Sequence, residues 1–199
     1  MRRLLLATLL VVSCSGGGAA AAQPQDVALK PAEALGLTKC ASSGTMDQTL
    51  ARLKTSQPDS YARSNDEWSK LKQAGASAGY FAVYSDDPAA CPGFSPGSSP
   101  GPSKEIGNLV VAFGDTGQAA TAYATGAFGV SPDQAGLAGG ITGSGTGLGK
   151  NSVRAFVALG GNQIYLAYWQ HGRWLTYLFA EGLTESDGDS LTRAVDARL

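Results

Sequence analysis

The stretch "SVRAFVALGGNQIYLAYWQHGRWLTYLFAE", residues 152–181, decides the fold. It divides into three runs rich in aromatic and β-branched residues, 152–159, 162–170 and 173–181. Such side chains fit a pleated, half-buried surface, so each run reads as a strand. Only Gly160-Gly161 and His171-Gly172 stand between them. Two-residue connections of this kind supply the positive φ that tight hairpins demand, and His tolerates it better than most side chains. Three successive strands joined in this way imply an antiparallel sheet. With a turn at 171–172, Trp169 faces Trp174, Ala167 faces Thr176 and Tyr165 faces Leu178. Side chains alternate along a strand, so Ile164, Leu166, Tyr168, Leu175, Tyr177 and Phe179 share the opposite face. Both faces are largely apolar, and both need cover.

Helical cover is found on either side in the sequence. Downstream, "TESDGDSLTRAVDARL" (184–199) has an acidic first turn that suits the helix dipole. Its Leu191, Ala194, Val195 and Leu199 share one face. Upstream, Met46, Leu50 and Leu53 lie on one side of a helix that ends before Pro58. "SNDEWSKLKQAG" (64–75) opens with Ser64 and Glu67 as a capping box and stops at Gly75. "GYFAVYS" (79–85) and "NLVVAF" (108–113) are two further strands, and "DTGQAATAYATG" (115–126) is a short helix capped by Asp115. "CPGFSPGSSPGPSKE" (91–105) and "GLAGGITGSGTGLGKNS" (136–152) read as loops. The order is α-α-β-β-α-β-β-β-α. This predicts an α+β fold, a mainly antiparallel sheet of about five strands with helices packed on it in an α/β/α-like sandwich.

A length of 199 residues suits one domain with appendages, and 43% apolar against 16% charged residues suits a globular chain. The formal charge is −1 and no basic stripe is present, which argues against nucleic-acid binding. Nothing after residue 13 approaches the roughly 20 continuous apolar residues of a membrane helix.

The N-terminus carries a processing signal. Met1-Arg2-Arg3 is followed by the apolar run Leu4 to Val12, too short to span a bilayer but right for an export signal. Two cleavage sites stand open. Val11-Val12-Ser13-Cys14 resembles the lipobox of bacterial lipoprotein precursors, in which the cysteine thiol is acylated and the chain is cut just before it. The two valines depart from the commoner Leu-Ala but keep the chemistry. Ala20-Ala21-Ala22 offers instead an ordinary site cut before Gln23, which would release a secreted protein. The first reading divides the chain into a signal peptide (1–13), a lipidated cysteine with a flexible tether (14–30) and one globular domain (31–199). Palmitate-type chains then hold it to a membrane, each buried CH₂ contributing about 0.8 kcal/mol. Either reading removes Cys14 from the thiol count and leaves Cys40 and Cys91 as a pair. In an oxidising compartment these are expected to be bridged. Closing such a loop contributes roughly 4 kcal/mol in the chain-entropy model.

Candidate sites are few. "WQHGRW" (169–174) holds the only histidine and two of the three tryptophans. Trp169, His171 and Trp174 could present an aromatic platform to a ligand; structurally, the same residues are a cross-strand pair on a turn. "GSGTGLGKNS" (143–152) is not a phosphate loop, because Ser144 stands where glycine is required and Asn151 follows Lys150. "ESDGDS" (185–190) lacks the ligand spacing of a calcium loop, and helix capping accounts for Ser186, Asp187 and Asp189. "SDDP" (85–88) is turn chemistry. No nucleophile or zinc signature is present, so no catalytic residue, metal ligand or cofactor is assigned.

An acylated cysteine, a tether and one small domain together resemble the small envelope lipoproteins of bacteria. Over roughly residues 79–199, the hairpin-rich sheet with a C-terminal amphipathic helix is similar to the Mog1/PsbP-like domains. Fold alone does not fix function. The resemblance implies a membrane-anchored, extracytoplasmic protein of the cell envelope, and the first of two readings of its role is a non-enzymatic module that binds or assists another molecule. Its partner would be an envelope protein, a lipid or a glycan. The alternative is an envelope or secreted hydrolase using His171.

Overall fold

All nine residues of the strand Glu105–Phe113 (β4) are buried. A strand with no wet face must lie inside a sheet covered on both sides. The structure, a computed structural model, describes residues 22–87, 91, 104–137, 139–159 and 162–199. In it β4 lies between β3 (Ala76–Ser85) and β8 (Trp174–Glu181). The sheet continues through β7 (Asn162–His171) and β6 (Ser152–Leu159) to β5 (Ile141–Thr142). At the other side, β1 (Thr38–Lys39) and β2 (Gly44–Thr45) both pair with β3. The fold is thus mixed α/β with an eight-stranded sheet, and every pairing is antiparallel.

The sheet is larger than the five strands expected, and the element order is longer. The three added strands have two residues each, too few to show an alternating pattern. Two of the five long strands also reach further than their apolar runs, to Ala76 and to Glu105. The loop expected over 136–152 contains β5 and a 3₁₀ turn, Gly143–Thr146, and is preceded by a short helix α5 (Pro132–Leu137).

The helices divide between the two faces. Helices α2 (Met46–Ser56), α3 (Pro58–Gln73) and α4 (Thr116–Thr125) place Met46, Leu50, Trp68, Leu71 and Ala122 against Phe81, Leu109, Val111 and Tyr168. On the opposite face, Leu191 and Val195 of α6 (Glu185–Asp196) meet Val110, Tyr165, Trp169 and Leu178. Helix ends follow local chemistry. Thr45 caps α2 and exchanges bonds with Gln48, and Asp115 caps α4. Helix α3 begins at Pro58 and not at Ser64, because proline is favoured at the first helical position; Ser64 is therefore a buried interior residue. Thr184 and Asp187 form the capping box of α6. Asp189, assigned to capping from sequence, accepts instead from Arg154 Nη1 (2.7 Å) and Tyr165 Oη (3.0 Å).

The C-terminal hairpin differs from expectation by one step. His171 pairs with Trp174, so the turn is Gly172-Arg173, with Gly172 at φ +54°. Glycine at the first turn position is the preferred pattern when the second residue keeps negative φ. Trp169 thus lies opposite Thr176, Ala167 opposite Leu178 and Tyr165 opposite Ala180. The slip keeps each residue on its assigned face, and Trp169 and Trp174 become diagonal neighbours. The Gly160-Gly161 turn lies outside the described residues, although β6 and β7 pair from Leu159 and Asn162 outward.

The N-terminal segment is part of the packed domain. Residues 24–30, given to the tether on composition, include helix α1 (Pro24–Val27) and the fully covered Val27, Ala28 and Leu29. The Leu29 N–H donates to Asn108 Oδ1 (2.8 Å), and Tyr84 Oη donates to the Leu29 carbonyl (2.6 Å). Arg198 donates to the Val27 carbonyl (3.0 Å) and pairs with Glu33. Three adjacent apolar residues outweigh a polar neighbourhood.

Gly188, inside α6, sits where a Cβ would lie 2.2 Å from Cγ of Tyr165. Alanine ordinarily favours a helix interior over glycine by about 1 kcal/mol. Here the covered Tyr165 ring leaves no room, so Gly188→Ala should destabilise by about 1–3 kcal/mol. A thermal melt checks this: the midpoint should fall by several degrees, at about 2–4 °C per kcal/mol. A rise would show that the helix moves off the sheet without cost.

Candidate functional site

The residues proposed from sequence do not form a platform. Trp169 is 0% exposed and Trp174 5%, both inside the second core. The Trp169 indole donates Nε1–H to Asp196 Oδ1 (3.0 Å), and the Arg173 guanidinium lies 4.8 Å from the Trp174 ring centroid. Both faces of this hairpin are covered, so its tryptophans supply packing and offer no stacking surface. His171 is exposed at the end of β7, with Nδ1 3.1 Å from the same Asp196 oxygen. That contact ties the C-terminal end of α6 to the hairpin. Among the described residues, no serine or threonine hydroxyl bonds to His171. Cys14 lies outside the described residues.

The cysteine pair is a disulfide, Cys40 to Cys91, with Sγ atoms 2.01 Å apart and Cα atoms 5.3 Å apart. The Cys40 N–H donates to the Val83 carbonyl (2.8 Å), which fixes the bridge against the edge of the sheet. A cavity of about 470 Å³ opens beside it. Small-molecule pockets commonly enclose about 300–1,000 Å³. Its walls are the disulfide, the turn after β1, Phe81 of β3 and one side of α2. Helical spacing brings Thr49, Arg52, Leu53 and Ser56 to that side, while Leu50 points into the core.

Most of the exposed wall is apolar, although seven of its twelve described lining residues have polar side chains. Arg52 Nη2 donates to the Ser42 carbonyl and to Thr49 Oγ1 (3.3 Å). Arg52 Nε and Ser42 Oγ are buried without a hydrogen-bond partner among the described residues. The Thr55 and Ser56 hydroxyls are turned inward to the Arg52 carbonyl, at 2.9 and 3.0 Å. Lys39, on the rim, donates Nζ–H to Tyr80 Oη (2.9 Å). Among the described lining residues there is no carboxylate. The two sulfurs are joined, so neither can act as nucleophile or metal ligand. Among the described lining residues, no hydroxyl is bonded to a histidine or a carboxylate. The sequence concealed the cavity because its wall combines β1, α2 and a cysteine 51 positions away.

A second polar cluster lies on the same sheet. Glu181 is buried directly opposite Glu105 of β4, and its Oε1 has no partner. Desolvation, followed by repulsion from Glu105, pushes the Glu181 carboxyl up from its ordinary 4.5 to about 7. Folding therefore takes up a proton between these values. The contribution to stability is full below about pH 4.5 and is lost as pH rises through about 7. Glu181→Gln should flatten that part of the stability curve, so the variant minus wild-type difference grows from pH 5 to pH 8 in denaturant titrations. A difference independent of pH would place the proton elsewhere. Among the described residues, no group of three or more His, Cys, Asp or Glu could hold a metal ion, and no helix is long and apolar enough to cross a membrane.

Replacing both bridge cysteines with alanine removes the closure of a 51-residue span. Stability should fall by about 4 kcal/mol in the chain-entropy model. Urea titration of the double variant measures this directly, and an unchanged midpoint would mean that the unfolded chain gains nothing from release. Comparison with family models, with curated proteins and with solved structures found no match to this chain.

Proposed function

We propose that this protein is a lipid-anchored, extracytoplasmic binding module that holds a small, largely apolar molecule in the cavity beside Cys40–Cys91. The observation that carries the reading is that cavity: large enough for a ligand, apolar along most of its wall, and without a nucleophile–base pair among its described lining residues. A disulfide in a small domain suits an oxidising compartment, which supports export. The lipobox-like Val11-Val12-Ser13-Cys14 supports anchoring over release. The packed domain starts near residue 24, so about nine residues separate Cys14 from it. Fully extended, they reach about 30 Å, and the domain works close to a membrane surface.

Intact mass spectrometry of the membrane-extracted protein tests the anchor. The expected product begins at an acylated Cys14 and is short by two hydrogen atoms for the bridge. Cys14→Ala should abolish the acyl mass and the cut before residue 14, leaving residues 1–13 on the extracted protein. A product that begins at Gln23 would overturn the anchoring and leave a secreted protein.

A further inference from the structure

The charges on the cavity wall narrow the ligand class. We infer that the cavity takes an anionic amphiphile, with its carboxylate or phosphate head on Arg52 and its hydrocarbon body along Leu53, Phe81 and the disulfide. This rests on the binding-module reading above and assigns the chemistry of its ligand.

Arg52 is half-buried on the cavity wall, and its described partners are neutral oxygens: the Ser42 carbonyl and Thr49 Oγ1. No ion pair reaches it among the described residues. A charge withdrawn from water without a counter-ion is costly, and the cost is offset when an anion enters. The guanidinium fork matches two oxygens of one carboxylate or phosphate. Arg52 Nε and Ser42 Oγ are covered and have no hydrogen-bond partner among the described residues, so the guanidinium is incompletely satisfied. The Lys39 ammonium is held at Tyr80, on the side of the second core, so Arg52 is the cation that this wall presents. The chain as a whole is net negative, so a cavity wall with a guanidinium and no described carboxylate runs against the average surface. The remaining wall suits hydrocarbon. Leu53 and Phe81 are buried apolar side chains, and the oxidised sulfurs present no strong donor.

The test uses the mature chain from residue 15 onward, which carries neither the apolar export signal nor the lipid and needs no detergent. Four ten-carbon probes are titrated calorimetrically below their micelle concentrations: decanoate, decyl phosphate, 1-decanol and decyltrimethylammonium. Decanoate or decyl phosphate should bind with one site per chain, and the stronger of the two identifies the head. Decanol should bind at least about tenfold more weakly, the size of effect a hydrogen bond to a charged group carries. The cationic probe should not bind. Arg52→Gln should remove the preference for the anion, and Arg52→Lys should restore part of it, both with melts near wild type. Ala41→Trp, filling the cavity from its exposed side, should abolish binding of every probe. If decanol binds as tightly as decanoate and Arg52→Gln changes nothing, the headgroup assignment falls while the cavity reading stands. If no probe binds, or Ala41→Trp leaves binding intact, the binding-module reading falls with it.

Discussion

The architecture depends on β4 having no solvent face. Its neighbours β3 and β8 pair along its whole length, so neither of its edges is free for water. Each of its two surfaces then needs an apolar layer, and the chain supplies them from different places. One layer comes from α2, α3 and α4, on either side of the β3–β4 pair in sequence. The other comes from the two ends of the domain, α6 and residues 27–34. Asn108 shows how strictly the constraint is met. It is a fully buried amide in mid-strand, yet it accepts from Leu29 N–H and donates to the Tyr177 carbonyl (3.1 Å). A polar side chain in this position is tolerable because both of its ends are satisfied, and one of those bonds holds the N-terminal layer in place.

What could be read from sequence was what repeats along the chain. Alternation over 162–181 identified the paired strands and their faces, and the spacing of Met46, Leu50 and Leu53 identified a helix face. Two-residue strands have no period and passed unseen. The hairpin register was off by one step because His171-Gly172 and Gly172-Arg173 both offer a glycine, and only pairing distinguishes them. The fate of Trp169 and Trp174 depended on whether a third layer covered their face. That layer included Val27 to Leu29, whose burial no local pattern announced amid Gly, Ala and Gln. The disulfide was legible by counting alone. The cavity beside it was not, since Arg52 looks like any helix-surface arginine until its partners are known.

The disulfide and the cavity are mechanically one unit. Cys40 directly follows β1, one of the two short strands paired with β3 at this edge of the sheet, and Ser42 comes two residues later. The same Ser42 carbonyl receives Arg52, while Ser43 exchanges bonds with the backbone of Val83. The turn 40–43 is therefore fixed at one end by a covalent bond and along its length by β3. A wall held in this way costs little further ordering when a ligand arrives, and preorganisation of that kind raises affinity without adding contacts.

The described sheet is bordered by very short strands: β1 and β2 flank β3 at one side, and β5 ends the other. A long, flat border strand is a template for pairing with a second chain, and two-residue strands offer little of it. This matters most for a protein confined to a surface. The anchoring proposed above would concentrate molecules in two dimensions and hold them in similar orientations, conditions under which sheets that could join edge to edge would do so. On the β5 side the described protection is partial, because β5 pairs only with Val153 and Arg154 of β6.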